Sequence, residues 1–305
     1  MHFLITGVSG FVGPRLARNL LEHGHRVSGT YLDSAPPPSN LEGVELYHAD
    51  LLDLESLAKA VQASKPDAVI NLAGLSHVGE SWKRPGEYFR VNVLGTENLL
   101  NAADTAGGDC CVVYASSAEV YGPVPEEEQP LSEDRLPDPR SPYALTKAAA
   151  ERIALARGAV VARSFNLVGP GQAPNFALPS FASQLARISR GETEGVIEVG
   201  NLTARRDFIH IDDGADAFRV LAEKGRPGSI YNIASGSAFS ICEALDRLVV
   251  VSGVKTEVRE DPERLRPVDI PLLLGDASRL RALGWEPRRT LDDALSDLWR
   301  DLQPC

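Results

Sequence analysis

Residues 6–13 read Thr-Gly-Val-Ser-Gly-Phe-Val-Gly and continue the apolar run Phe3-Leu4-Ile5 without a break. Gly7, Gly10 and Gly13 recur every third residue, and PRLARNLLEHG (14–24) follows with helical periodicity up to a terminating glycine. Glycines let a backbone turn tightly and come close to a pyrophosphate, whose charge then rests on the helix N-terminus. With a strand before it and a helix after it, this loop is predicted to hold such a group. The candidate contacts are Gly7, Gly10, Phe11, Val12 and Gly13.

The same alternation extends outward. RVSGTYL (26–32), VELYHA (44–49), DAVINLA (67–73), CCVVYAS (110–116) and AVVARSF (159–165) read as strands. ESLAKAVQAS (55–64) and YFRVNVLGTENLLNAADTAG (88–107) read as helices between them. Continuously apolar strands separated by helices imply a parallel sheet covered on both faces. Right-handed crossovers then give an α/β, Rossmann-type doubly wound fold. The second half is less regular. LPSFASQLARISRG (178–191), VIEVGN (196–201), DDGADAFRVLAEKG (212–225), IYNIAS (230–235) and helical stretches near 241–251 and 291–302 are split between that sheet and a smaller C-terminal unit. The expected division is 1–166 with parts of 207–235 for the nucleotide-binding domain, and 167–206 with 236–305 for a substrate domain. PVPEEEQPLSEDRLPDPRSP (123–142) is a loop of a length that is often functional, its glutamates forming a solvated face.

The chain has 305 residues, 43% of them hydrophobic and 24% charged, which suits a soluble globular protein with a sizeable core. A formal net charge of −11 argues against non-specific binding to nucleic acid or anionic membranes. Cys110, Cys111, Cys242 and Cys305 show no metal-binding spacing, and no metal is expected. No run is long enough to span a bilayer, and MHFLITG carries no basic leader, so a cytoplasmic setting is expected.

The second strand ends in Thr30-Tyr31-Leu32-Asp33, where such folds read the ribose of a dinucleotide. An acidic residue there suits NAD and an arginine suits NADP; Asp33 stands slightly late and no basic residue adjoins it, which leans against a strong NADP preference. Asp50 and Leu51 close the third strand, where Asp50 either meets the adenine or is a plain strand-end carboxylate. SPYALTK (141–147) sets Tyr143 and Lys147 four apart on one helix face, with Ser141 as N-cap and Pro142 in the first turn. A tyrosine of pKa about 10 exchanges protons poorly at neutral pH, and a nearby ammonium is expected to lower it. Ser117, at the end of the fifth strand, supplies a hydroxyl to a substrate oxygen. Ser76 and His77 follow the fourth strand at the ligand-binding edge; His77 is either a substrate contact or a satisfied structural histidine.

TGVSGFVG, NLAG, SSAEVYG, SPYALTK and RRDFIHIDD together resemble the extended short-chain dehydrogenases/reductases that act on nucleotide sugars. The resemblance implies a bound NAD(P)H, a Ser117–Tyr143–Lys147 triad, and Ala73 and Gly74 along the cofactor. RSFNLVGPGQ (163–172), VGNLTARRDFIHIDD (199–213) and DPERLRPVDIPLLLGDASRLRALGWEP (261–287) resemble the GDP-mannose branch of that family. That implies a GDP-sugar substrate held by Asn166, Arg206 and Arg266, two arginines suiting a diphosphate. Arg206 could instead pair with Asp207 or Asp212, and Asp269 could accept from a guanine edge or be a surface carboxylate.

Within that branch, dehydratases place additional acid/base groups beside the catalytic hydroxyl. Here Ala118, which cannot donate a proton, precedes Glu119. Glu119 therefore reads as either a substrate ligand or a base. NLVGPGQAP after Asn166 is similar to the reductases that convert GDP-4-keto-6-deoxy-mannose. The expected reaction is hydride transfer to the C4 ketone. A dehydratase or 4-epimerase is the alternative, and a non-catalytic nucleotide-binding protein a minor one. The segment between SPYALTK and VVARSFN is short for the family, so the catalytic helix or its exit loop should be trimmed. A homodimer through a helix pair is expected.

Overall fold

The computed structural model describes residues 1–39, 41–107, 110–265 and 269–303. Arg266 and Cys305 lie outside them. Six early strands, β1 (His2–Thr6), β2 (Arg26–Tyr31), β3 (Val44–His48), β4 (Ala68–Asn71), β5 (Cys111–Ser117) and β6 (Val160–Ser164), alternate with helices. These are α1 (Gly13–Glu22), α2 (Leu54–Ser64), α3 (Val78–Lys83), α4 (Pro85–Phe89), α5 (Gly95–Asp104) and α6 (Pro142–Ala156).

The remaining strands are β7 (Asn166–Val168), β8 (Val196–Val199), β9 (Arg205–His210), β10 (Ile230–Ile233), β11 (Ala238–Ser240), β12 (Glu257–Glu260) and β13 (Leu272–Leu273). The remaining helices are α7 (Ala177–Ser189), α8 (Ile211–Lys224), α9 (Ile241–Ser252), α10 (Ser278–Arg281) and α11 (Leu291–Asp301).

The main sheet has seven parallel strands in the order β10-β6-β5-β4-β1-β2-β3. Chain order reverses between β1 and β4, the switch point at which such sheets bind ligands beyond their C-terminal edge. Alternation in β1 shows why both faces are covered. Phe3 and Ile5 join a core with Leu16 and Leu20 of α1 and Phe218 and Leu221 of α8, whereas Leu4 faces Leu57 and Val61 of α2 and Leu99 of α5. Losing any one of these side chains to alanine costs about 2–5 kcal/mol.

A second core lies between α7, α9 and α11, built from residues such as Phe181, Leu185, Leu245, Leu248, Leu295 and Leu298. Capping boxes fix the starts of α9 (Ser240 with Glu243) and α11 (Thr290 with Asp293). Beside it, β9 is flanked by β11 and β13 and also pairs with β7, and β8 pairs with β12.

Three features depart from the sequence reading. Ile270, Leu273, Ala277, Leu280 and Trp285, expected on the substrate side, pack into the core of the main sheet. The helix expected through 88–107 is interrupted by a π-helical turn at Arg90–Leu94. The interruption accommodates Asn92, a buried amide tied to the backbone of Leu75. The long loop 123–142 is anchored rather than free. Leu131 N–H donates to the Leu274 carbonyl and Asp276 N–H donates to that of Leu131, while the three glutamates stay exposed. Helix α6 keeps 15 residues, and its exit is short, Gly158 at φ +75° turning the chain into β6.

Candidate active site

Ser117 closes β5, directly beside Ser164 of β6. Its Oγ accepts from the Glu119 N–H at 3.2 Å and so starts the short 3-10 turn Ala118–Tyr121. Across from it, Ser141 caps α6 by accepting from the Ala144 N–H at 3.1 Å, with Pro142 in the first turn. This local chemistry sets Tyr143 at the helix start, where its phenol is buried and close enough for the Ser117 hydroxyl to act on it. The Tyr88 ring meets it edge-on at 6.5 Å.

Lys147 lies one turn further along, 7% exposed, with Nζ donating to the Ala115 carbonyl at 2.9 Å. The ammonium also lies over the rings of Tyr114 (5.1 Å) and Tyr143 (6.0 Å). Burial lowers its pKa to about 8.

The expected lowering of the Tyr143 pKa by Lys147 is corrected here. Burial pushes the phenol well above its ordinary value; Glu119 and Tyr88 add to the rise and only the Ser117 hydroxyl opposes it. The ammonium is engaged by the Ala115 carbonyl and the ring faces, so desolvation of the phenolate wins. Burial therefore favours the neutral phenol of Tyr143. Glu119 is half-buried beside Ser117 and close enough for its charge to act on Tyr143. Ala118, 2% exposed, adds no titratable group.

The nucleotide side runs along the switch point. Gly7 adopts φ +70°, and a Cβ there would fall 2.9 Å from Ala73 Cα. The Gly10 N–H closes the turn on the Gly7 carbonyl at 3.0 Å. A Cβ on Gly13 would strike the Val8 carbonyl at 2.4 Å, so glycine permits the close seating of α1. Phe11 and Val12 are half-buried between these turns.

Gly74 is exposed at φ +154°, and a Cβ there would stand 3.8 Å from Lys147 Nζ. A backbone cradle therefore extends from the α1 N-terminus to Lys147, and it fits a dinucleotide: pyrophosphate on Gly7–Gly13, the nicotinamide end by Gly74 and Lys147.

The ribose and adenine candidates are less well placed. Strand β2 ends at Tyr31, and Asp33 lies beyond it with an 88% exposed carboxylate 3.4 Å from His48 Nε2. Tyr31 stacks edge-on against the same histidine at 5.8 Å. Asp50 Oδ1 accepts from the Leu52 N–H at 2.9 Å, making Asp50 a turn residue, and Leu51 is buried under Gly95.

A cleft of about 500 Å3 opens between α3, β7, the start of α7, β9, Glu263–Leu265 and Asp269. Asn166, Arg206, Asp269 and His77 line it, together with Phe176 and Trp82. Ser76 is exposed and outside that lining. Arg206 pairs with Asp269 at 2.8 Å, not with Asp207 or Asp212, and also donates to the Ile270 carbonyl at 2.6 Å. Alternation along β9 explains this: Arg206 faces the cleft while Asp207 points inward. Asp207 receives the N–H groups of Ser235, Gly236 and Gly275, and burial lifts its pKa to about 6.

Asp269 is engaged by Arg206 and by the Asn201 amide at 2.6 Å, so it is not the plain surface carboxylate of the alternative reading. His77 is a satisfied helix cap on the cleft wall. Nδ1 accepts from the Glu80 N–H at 3.0 Å, and Nε2 donates to the Asn175 carbonyl at 2.9 Å.

Sequence reading missed Asn92 and Thr146. The Asn92 amide joins Leu75, beside Gly74, to the Thr146 hydroxyl at 3.0 Å, one residue before Lys147. The available signal was a polar residue at a core-facing position of an apolar helix.

A glycine-turned first crossover, leading to a Ser–Tyr–Lys trio at the C-terminal edge of a doubly wound sheet, defines an extended short-chain dehydrogenase/reductase. Residues 4–298 match the model of the GDP-mannose 4,6 dehydratase family, and the chain belongs to that family. It is 36% identical over 307 residues to a GDP-6-deoxy-D-mannose reductase of Pseudomonas aeruginosa, covering 98% of this chain and 96% of that one.

Among solved structures it resembles RMD from Pseudomonas aeruginosa complexed with NADPH, with TM-score 0.85 and 34% identity over 99% of this chain and 98% of that one. A UDP-glucose 4-epimerase of Thermus thermophilus in complex with NAD is also similar, with TM-score 0.89 and 28% identity over 99% of each chain.

Proposed function

We propose that this protein reduces the C4 ketone of GDP-4-keto-6-deoxy-D-mannose to a GDP-6-deoxyhexose of the GDP-D-rhamnose type. The observation that carries the proposal is a buried Tyr143 beside Ser117 and one helical turn from Lys147, with Ala118 where a dehydratase needs a further proton donor. Reduction requires one proton at the former carbonyl oxygen, and this site is built to deliver one. Similarity to the GDP-6-deoxy-D-mannose reductase supports the same reading.

When bound, NAD(P)H supplies the hydride to C4. Ser117 donates a hydrogen bond that polarises the carbonyl oxygen, and Tyr143 releases its phenolic proton to that oxygen as charge develops. Lys147 holds the nicotinamide ribose, and its ammonium offsets the charge left on Tyr143. Gly7, Gly10 and Gly13 take the pyrophosphate. Arg206 serves the sugar diphosphate, and Asp269 orients it. Asn166 and Glu119 hold sugar hydroxyls.

On this reading the cofactor sits on the main sheet and the sugar nucleotide on the α7–α9–α11 side. Phe89, Leu94 and Leu145, exposed on neighbouring segments that pack around α6, support a homodimer through this helix face. Adjacent free thiols at Cys110 and Cys111 suit a reducing, cytoplasmic setting.

The proximity of Glu119 to Tyr143 favours a second reading, a 4,6-dehydratase that regenerates its cofactor. One assay separates the two. Stoichiometric loss of NADH or NADPH absorbance with the GDP-4-keto sugar is expected, and Glu119→Gln should cost less than about 10-fold. Water loss from GDP-mannose without added reductant, abolished by Glu119→Gln, would establish the dehydratase instead.

A further inference from the structure

Behind the trio lies a buried ionic cluster that the reaction does not use. Glu151 of α6 and Arg163 of β6 are each 1% exposed and form an ion pair. One Glu151 carboxylate oxygen also accepts from Ser116 Oγ at 2.9 Å and from Arg163 Nε at 3.1 Å. Ser116 and Arg163 are register partners across β5 and β6, so one carboxylate grips both strands at the same level. The Arg163 guanidinium in turn stacks on the Tyr121 ring at 4.7 Å, at the end of the turn that carries Glu119.

The spacing along α6 gives this cluster its meaning. Tyr143, Lys147 and Glu151 are four residues apart on one helix face. They lie against three consecutive positions of β5: Tyr143 within reach of Ser117, Lys147 bonded to the Ala115 carbonyl, and Glu151 bonded to the Ser116 hydroxyl. The Lys147 contact is a single hydrogen bond to one carbonyl, and the Tyr143 contact has to open toward a substrate during reaction. Only the Glu151 contact is several-fold, charged and dry, and it therefore fixes the helix against sliding or rotating on the sheet. Buried ion pairs are weak sources of net stability because desolvation offsets their attraction, so stability alone is a poor account of this one.

We propose that Glu151 is a positioning residue, which with Ser116 and Arg163 sets the seating of α6 on β5 that brings the Tyr143 hydroxyl to Ser117. The inference rests on the reductase reading only for the substrate used in its assay. A displacement on the order of 1 Å at reacting groups can cost about 100-fold in rate.

The test compares Glu151→Gln with the double variant Glu151→Leu/Arg163→Met, using kcat, KM, NADPH affinity by fluorescence, and Tm. Glu151→Gln is expected to lower kcat about 10- to 100-fold, with KM and NADPH affinity within about 3-fold of wild type, and to lower Tm. Replacing both charges by apolar side chains is expected to recover Tm, because no buried charge is left uncompensated. In that variant kcat should stay at least about 10-fold down, because the seating contact is gone.

Recovery of kcat together with Tm would overturn the proposal and leave the cluster a purely structural one. So would a folded Glu151→Gln enzyme with kcat within about 2-fold of wild type. Should Glu151→Gln fail to fold, the double variant alone decides. If wild type leaves NADPH untouched with the GDP-4-keto sugar, the reductase reading fails. The same kcat comparison, run on the nucleotide sugar that wild type does convert, then judges the Glu151 proposal separately.

Discussion

The Ser117–Tyr143–Lys147 edge and the cleft wall are built in opposite ways. Ser117, Tyr143 and Lys147 come from β5 and α6, joined by one loop and aligned by helix periodicity. Asn166, Arg206, His77 and Asp269 come from segments scattered along the chain: β9 and its partner β7 carry Arg206 and Asn166, Asp269 pairs with Arg206, and His77 is tied to the Asn175 carbonyl. In the first region sequence spacing already fixes which side chains meet. In the second, strand pairing and alternation decide partners, as the Arg206–Asp269 pair shows.

The contrast predicts a graded response to substitution. Tyr143→Phe removes the proposed proton donor and should lower kcat by about 1,000-fold or more, with the nucleotides still bound. Stopped-flow turnover with separate cofactor titration measures this, and kcat within 10-fold of wild type would break the assignment of the edge as catalytic.

Arg206→Ala should lower kcat/KM about 10- to 100-fold, mainly through KM, because it removes charge-assisted bonds and leaves Asp269 without its arginine partner. Arg206→Lys should recover little of it, since an ammonium lacks the fork that reaches Asp269 and the Ile270 carbonyl together. A pure kcat loss would place Arg206 in the chemistry and erase the distinction between edge and wall.

The smallest effect is one of pH. With a pKa of about 8, Lys147 loses its charge above that value, and kcat should fall there. Between about pH 8 and 10.5 the unfolded lysine binds more protons than the folded one, so this group makes stability rise with pH across that window. Urea unfolding at pH 8 and pH 10 should show that rise in wild type and a smaller one in Lys147→Met.

How much of this was legible in the sequence follows the same division. The glycine turn, the parallel strands and the Tyr143–Lys147 face are local patterns with local causes. The direction of the Tyr143 shift was not legible, because it depends on how dry the site is and on the Ala115 carbonyl that engages Lys147. That His77 is a satisfied structural histidine was one of the readings of the sequence; only its bridge from α3 to the 175 carbonyl was not legible. The packing of 270–285 into the main core was equally hidden, since any apolar residues could fill either core.

By itself, the sequence determined a doubly wound sheet, a dinucleotide cradle and a tyrosine one helical turn from a lysine, since each follows from periodicity and residue chemistry over short stretches. Tertiary structure alone decided that burial raises the Tyr143 pKa rather than lowering it. It also chose the partner of Arg206 and placed Glu151 where it grips both strands behind the site. Desolvation and long-range pairing belong to the packed molecule, and no short stretch of chain encodes them.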